Sequence, residues 1–190
     1  PDGTKLYAMA AEDKKPQMAT LEVKSTGQLE LLNVAAVNLR AGYLKTDKSG
    51  SFIAGNHYGP GKASLWKLAD DKVYRGETAQ ELELEPRAHS AIFSADSRWL
   101  LVPATAPNKV FVNKFDAKAG KLIPNDPPYG TGPTGEDEAR QPRHLIFNPQ
   151  LENVVYTTNE RENPGVCAWN WDGEKGTLAP FQNIKTAPEK

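Results

Sequence analysis

A turn followed by a short apolar strand recurs four times along the chain, and that repeat constrains the fold more than any single motif. The four openings are PDGTKLYAM from Pro1, DKSGSFIAG from Asp47, SADSRWLLV from Ser94 and NPQLENVVY from Asn148. With Gly3, Gly50, Ser97 and Leu151 as equivalent positions, they stand 47, 47 and 54 residues apart. A second landmark keeps the same phase. MATLEVKSTGQLELL, SLWKLADDKVYRG, VFVNKFDAKAGKLIP and VCAWNWDGEKGTLAP each read as strand, tight turn, strand, with Gly27, Asp70-Asp71, Gly120 and Gly176 in the turns. A third precedes each later opening: AGYLKT from Ala41, AHSAIF from Ala88 and RHLIFN from Arg143. Each unit thus holds about four strands in about 50 residues, the size of a β-propeller blade.

Helical signals are close to absent, because Gly or Pro interrupts every stretch that would carry apolar residues at i, i+3, i+4, i+7. The expected fold is all-β, one propeller domain over residues 1–190. It covers about four blades of an incomplete ring and is read as part of a longer chain. Both end blades are expected to show unpaired or irregular strands, or to pack on another chain or on further residues of a longer one. The segment from Pro124 to Gln141, PNDPPYGTGPTGEDEARQ, is expected to be an irregular inserted loop.

Composition excludes several classes. Lys+Arg 23 against Asp+Glu 24 leaves a formal net charge of −1, too little positive charge for general nucleic-acid or membrane-surface binding. No run reaches the ~18 apolar residues of a membrane span. The single Cys167 excludes an internal disulfide and a multi-cysteine zinc site, and nothing enforces an oxidising compartment. Neither a cofactor nor a bound metal is expected. The expected location is the cytoplasm, with periplasm or secretion left open.

Three motifs invite functional readings and lose to plainer ones. Gly130-Thr131-Gly132-Pro133-Thr134-Gly135 matches G-x-G-x-x-G in form, yet Pro133 removes a backbone N–H and no helix follows, so it reads as a loop. Trp171-Asp172 lacks the recurring Gly-His partner of WD repeats, and Asp172-Gly173 reads as the start of a hairpin turn. Cys167, among the aromatics of VCAWNW, reads as a buried structural thiol.

A better candidate set lies at equivalent strand ends: His89, Arg143, His144 and Glu160. His89 and Arg143 are one repeat apart, which places them on the inner rim of adjacent blades. Between Arg143 and Glu160 there is room for one strand, a turn and the next strand. The set would bring an imidazole, a permanent cation and a carboxylate to one cavity. His144 sits less easily in it, because adjacent residues of a regular strand point to opposite faces.

At these residues the sequence resembles the propeller-type lactonases, among them the seven-bladed bacterial 6-phosphogluconolactonases and the fungal 3-carboxy-cis,cis-muconate cyclases. The resemblance runs through GNHYGPGKASLW from Gly55, PRAHSAIFSADSRWLLVP from Pro86, KVFVNKFDAKAGKLIPNDPP from Lys109 and QPRHLIFNPQLENVVYTTNE from Gln141. It implies catalytic roles for His89, Arg143 and Glu160, and substrate contacts from Asn56, Tyr58, His144 and Asn159. Tyr43 stands where relatives often carry His, and a further cleft Arg of the family would come from a blade beyond Lys190. Seven blades at this repeat length need roughly 340 residues.

The function this implies is hydrolysis of a sugar-acid lactone, most like that of a 6-phosphogluconolactonase, on a small anionic substrate, with Arg143 polarising the carbonyl, His89 as proton shuttle and Glu160 as base or as the group orienting it. A muconate-type lactonising isomerase and a non-catalytic binding platform are the alternatives. A Ca²⁺-dependent lactonase using Asn56, Asn159 and Glu160 as oxygen ligands is a further one. As partners, no nucleic acid and no membrane are expected. Self-association, or further blades completing the propeller, is the one macromolecular contact anticipated.

Overall fold

The computed structural model describes residues 2–161 and 163–186. Fifteen β-strands and no helix make up the regular structure of these residues. The first sheet has three antiparallel strands: β1 (Lys5–Glu12), β2 (Lys15–Val23) and β3 (Leu29–Ala36). The second has four, in spatial order β4 (Tyr43–Thr46), β5 (Phe52–His57), β6 (Lys62–Leu68) and β7 (Tyr74–Glu83). The third runs β8 (Ile92–Phe93), β9 (Trp99–Ala104), β10 (Lys109–Asp116) and β11 (Lys121–Thr131), and the fourth β12 (Arg140–Phe147), β13 (Val154–Arg161), β14 (Gly165–Asp172) and β15 (Thr177–Lys185). Every pairing is antiparallel between sequence neighbours, so each sheet is a meander.

The repeat read from sequence is the repeat of the structure. Its four turn-strand openings become β1, β5, β9 and β13, and its four hairpins become β2–β3, β6–β7, β10–β11 and β14–β15. Gly27, Gly120 and Gly176 take positive φ in the hairpin turns, and in the second blade Lys72 takes it at 63°.

The strands that bury both faces read as continuous apolar runs, as expected where sheets stack on both sides. In β9, Leu100 and Val102 face the second sheet, where they meet Phe52, Ala54 and Leu65. The alternate residues Trp99 and Leu101 face the fourth, against Leu145, Val155, Trp169 and Trp171. Trp66, Ile53 and Met18 fill the layer between the first and second sheets. Polar ties run alongside the apolar layers: Tyr7 donates to the Lys72 carbonyl at 2.6 Å, and the Gln80 side chain exchanges hydrogen bonds with the Leu122 backbone at 2.7 and 3.0 Å. The main contacts between sheets join neighbours in chain order. The two outermost faces stay open, with Leu29, Leu31 and Val34 exposed on the first sheet and Ile146, Phe181 and Ile184 on the fourth.

The end blades differ, and one expectation needs correction. The last blade has its four strands, and its irregularities are the skipped Arg143 in β12 and one register shift between β14 and β15. The first sheet shows fewer strands, since β1 has no partner on its inner side comparable to β4, β8 or β12. The segment from Pro124 is not a loop as far as Gln141. Residues Pro124–Thr131 extend β11, and β12 begins at Arg140. A proline-rich stretch can be a strand here because β11 is the outer edge of its sheet, where the missing N–H groups leave no ladder bond unmade. Its extra length sits in a bulge: Phe111 pairs with Tyr129 but Asn113 with Pro124.

Candidate functional site

Three blades contribute to the site, through their innermost strands and the segments beside them. The second gives Tyr43 at the head of β4, the third the segment Ala88–Ser90 leading into β8, and the fourth Arg143 and His144 in β12, with Glu160 from β13. The lead-in segment is held from several directions. Asn56 Nδ2 donates to the Ala88 carbonyl at 2.7 Å, His89 N donates to the Pro103 carbonyl at 2.8 Å, and Arg87 N donates to the Tyr58 carbonyl at 2.8 Å. Arg87 takes φ 65°, a turn that swings His89 inward.

Arg143 Nε donates to His89 Nε2 at 2.8 Å. The same Nε lies 3.5 Å from Glu160 Oε2, close enough for an ion pair. Oε2 is itself buried and makes no hydrogen bond among the described residues, and neither does His89 Nδ1. Around this core the rings form a row. Tyr58 packs edge-on to His89 with centroids 5.3 Å apart, His89 edge-on to His144 at 5.1 Å, and His144 lies 6.2 Å from Tyr43.

The geometry fixes protonation. Because His89 Nε2 accepts from a guanidinium, the neutral ring carries its proton on Nδ1. Burial first, and then the charge of Arg143, holds the His89 pKa below the usual 6.5. Packing around the ring and the same guanidinium push His144 down as well.

All four members of the candidate set therefore meet, including His144, whose position overturns the alternation argument. β12 is not regular there. Pro142 pairs with Asn159 and His144 with Thr158, so Arg143 has no partner in the ladder and bulges out. The bulge lets adjacent side chains share one side. Tyr58 joins the row with an exposure of 38%. Asn56 and Asn159 are instead buried, and their amides hold backbone: Asn56 the Ala88 carbonyl, Asn159 the Ala139 carbonyl at 2.7 Å while its oxygen accepts from Thr157 at 2.8 Å. Among the described residues no group of three His, Cys, Asp or Glu side chains is placed to hold a metal ion.

Sequence reasoning missed Ser90 and Thr158, which flank the bulge, and named Tyr43 only as standing where relatives often carry His. Tyr43 alone carried a signal, as the first residue of a strand in phase with His89 and Arg143. His57 is buried and has no place in the site: its Nε2 meets Ser64 Oγ at 2.7 Å and its Nδ1 the Arg40 carbonyl at 3.0 Å.

Stacked antiparallel blades, one of three strands and three of four, with polar groups converging from neighbouring inner strands define a β-propeller. The model of the family described as "Lactonase, 7-bladed beta-propeller" matches residues 1–190, and the chain belongs to that family. It is 30% identical over 146 residues to the 6-phosphogluconolactonase of Cronobacter sakazakii, covering 77% of this chain and 41% of that protein. The Klebsiella pneumoniae 6-phosphogluconolactonase is 28% identical over 178 residues, 92% of this chain and 51% of its own. The chain thus spans about half the length of the curated relatives it matches. Among solved structures, the periplasmic gluconolactonase PpgL of Pseudomonas aeruginosa superposes with a TM-score of 0.83 at 21% identity, over 99% of this chain and 56% of that one. A Bacteroides uniformis protein described as a putative 6-phosphogluconolactonase follows at 0.79 and 20%, over 97% and 54%. At these identities the structures speak for the fold.

Proposed function

We propose that the protein hydrolyses the lactone of an anionic sugar acid, of the 6-phosphogluconolactone type, with Arg143 as the electrostatic centre. The observation that carries this reading is the division of labour within the guanidinium. Nε is spent on His89 and Glu160, while the two Nη atoms make no hydrogen bond among the described residues. With 43% of the Arg143 side chain exposed, that fork is available to a carbonyl oxygen, carboxylate or phosphate.

In this mechanism water attacks the lactone carbonyl carbon and gives its proton to the Glu160 carboxylate. Arg143 stabilises the tetrahedral oxyanion. When the ring C–O bond breaks, Glu160 returns the proton to the departing alkoxide, and the hydroxy acid leaves. His89 Nε2 already accepts from Arg143, so the imidazole orients the guanidinium rather than acting as the free base. His144, Tyr58 and Tyr43 line the substrate side, with Asn56 and Asn159 acting through the backbone they hold.

The names of the curated relatives support the substrate class. A cytoplasmic location is part of this reading, since a lone buried thiol is compatible with a reducing compartment, whereas the Pseudomonas aeruginosa neighbour is a periplasmic gluconolactonase. No helix of the described residues is long and apolar enough to cross a membrane.

The test is hydrolysis of 6-phosphogluconolactone and of glucono-lactone by the full protein, followed as acid release above the spontaneous rate. Turnover of either supports the reading. Binding of both without turnover puts the binding-platform alternative ahead.

A further inference from the structure

We infer that Ser90 is a positioning residue whose hydroxyl pins the Arg143 carbonyl and thereby holds the β12 bulge that turns Arg143 and His144 together toward His89. This rests on the lactonase reading for its consequence in turnover, but not for its structural content.

In a regular strand Arg143 and His144 would project to opposite faces, and only one could reach the site. They share a side because the ladder skips Arg143. A bulged residue leaves backbone groups that the neighbouring strand cannot satisfy, and those groups need partners from elsewhere. The Arg143 carbonyl finds one in the adjacent blade, where Ser90 Oγ donates to it at 3.2 Å. The next N–H, that of His144, donates to Thr158 Oγ1 at 3.3 Å, a side chain of the paired strand.

Ser90 is fully buried and follows His89 directly, so it spans the two halves of the site. The Ala88–Ser90 segment is anchored on its other side by Asn56 from the second blade. A connected path therefore runs from Asn56 through Ala88, His89 and Ser90 to Arg143, and on to Glu160. Three blades that share no strand pairing are set in register at this one place. If the Ser90 bond is lost, the bulge can slide by a residue, and the 2.8 Å bond from Arg143 to His89 goes with it.

The experiment compares Ser90→Ala, Ser90→Thr and Ser90→Cys with Ser64→Ala, which removes a buried hydroxyl bonded to His57, outside the site. Imidazole C–H resonances of His89 and His144 are titrated by NMR, and turnover of 6-phosphogluconolactone is measured alongside. The groups facing His89 are Arg143, His144, Glu160 and Tyr58, and of these Arg143 and His144 move with the bulge. Ser90→Ala is expected to move the His89 midpoint up toward its ordinary value and to lower kcat about tenfold to a hundredfold with KM little altered. Ser90→Thr restores both, Ser90→Cys with its weak donor lies between, and Ser64→Ala changes neither. An unmoved His89 midpoint in Ser90→Ala overturns the inference. Should Ser90→Ala not fold, an unmoved midpoint in Ser90→Cys does the same. Because the titration needs no lactone, an absence of lactonase activity with a shifted midpoint fails the functional reading alone.

Discussion

Arg143 and His89 are separated by 54 residues, yet the guanidinium Nε of one donates to the imidazole Nε2 of the other at 2.8 Å. A single nitrogen thus serves the protein, on a side chain that stays 43% exposed. Lysine cannot do both, since one ammonium would have to choose between His89 and a ligand. Arg143→Lys is therefore expected to keep the fold and to lose about 10²-fold or more in kcat/KM for the lactone, the scale of removing one oxyanion donor. Steady-state kinetics beside a thermal melt checks it; wild-type turnover in a folded variant removes Arg143 from the chemistry.

The pH dependence of stability has a definite sign. His57, His89 and His144 all have pKa values held below 6.5, in each case first by burial. Unfolded, the same rings take up protons near 6.5, so the unfolded state binds more protons as pH falls through that value. Stability is expected to be fully present above about pH 6.5 and to decline below it as the pH falls toward the folded-state values. Thermal melts from about pH 5 to about pH 8 test this. A flat or rising Tm on acidification, or recovery of acid stability in none of the three His→Gln variants, contradicts it.

Much of this was legible in the sequence because a repeat carries its own phase. The step between His89 and Arg143 equals one blade, and position within a blade fixes distance from the axis, so two distant residues could be brought together without coordinates. Strand content followed from runs such as WLLVPA, buried on both faces as β9. What stayed hidden depended on neighbours in space. The Arg143 bulge needs Ser90 from one blade and Thr158 from another, and neither residue type announces that role. Asn56 and Asn159 entered as substrate contacts through the family resemblance, but each is buried and its amide holds a backbone carbonyl, a need that no single sequence displays. The strand at Pro124–Thr131 was obscured by prolines that only an edge position tolerates.

Behind the fourth blade's part of the site lies a chain of buried polar groups. Trp169 Nε1 donates to Thr157 Oγ1 at 2.9 Å, Thr157 donates to Asn159 at 2.8 Å, and Asn159 holds the Ala139 carbonyl just ahead of β12. Thr157→Val keeps the shape but strands an indole N–H and an amide oxygen. The expected loss is about 2 kcal/mol or more by chemical denaturation, since each buried unpaired group costs about 1–3 kcal/mol. A change within about 0.5 kcal/mol would show that the chain adds nothing to stability beyond its packing.

Cys167 supplies a probe that is independent of any substrate. Its side chain is fully buried against the third blade's Val110, Val112 and Leu101, in the layer that also holds Trp169. Burial pushes the thiol up to about 12, so almost no thiolate, the reactive form, exists near neutral pH in the folded protein. Once the third and fourth blades separate, the same cysteine returns to ordinary thiol behaviour. Alkylation by a small maleimide or reaction with a disulfide reagent is therefore expected to be blocked in buffer and complete in denaturant. Because Cys167 lies in the layer between these two blades, its labelling rate reports their separation. Destabilising that layer with Thr157→Val should raise the rate, whereas Arg143→Lys, at the rim, should leave it unchanged. Fast labelling of the unperturbed protein would show that the layer opens on its own, and that the four blades do not behave as one cooperative stack. Cys167→Ser should leave lactone turnover at the wild-type level, because nothing in the His89–Arg143–Glu160 arrangement touches the thiol.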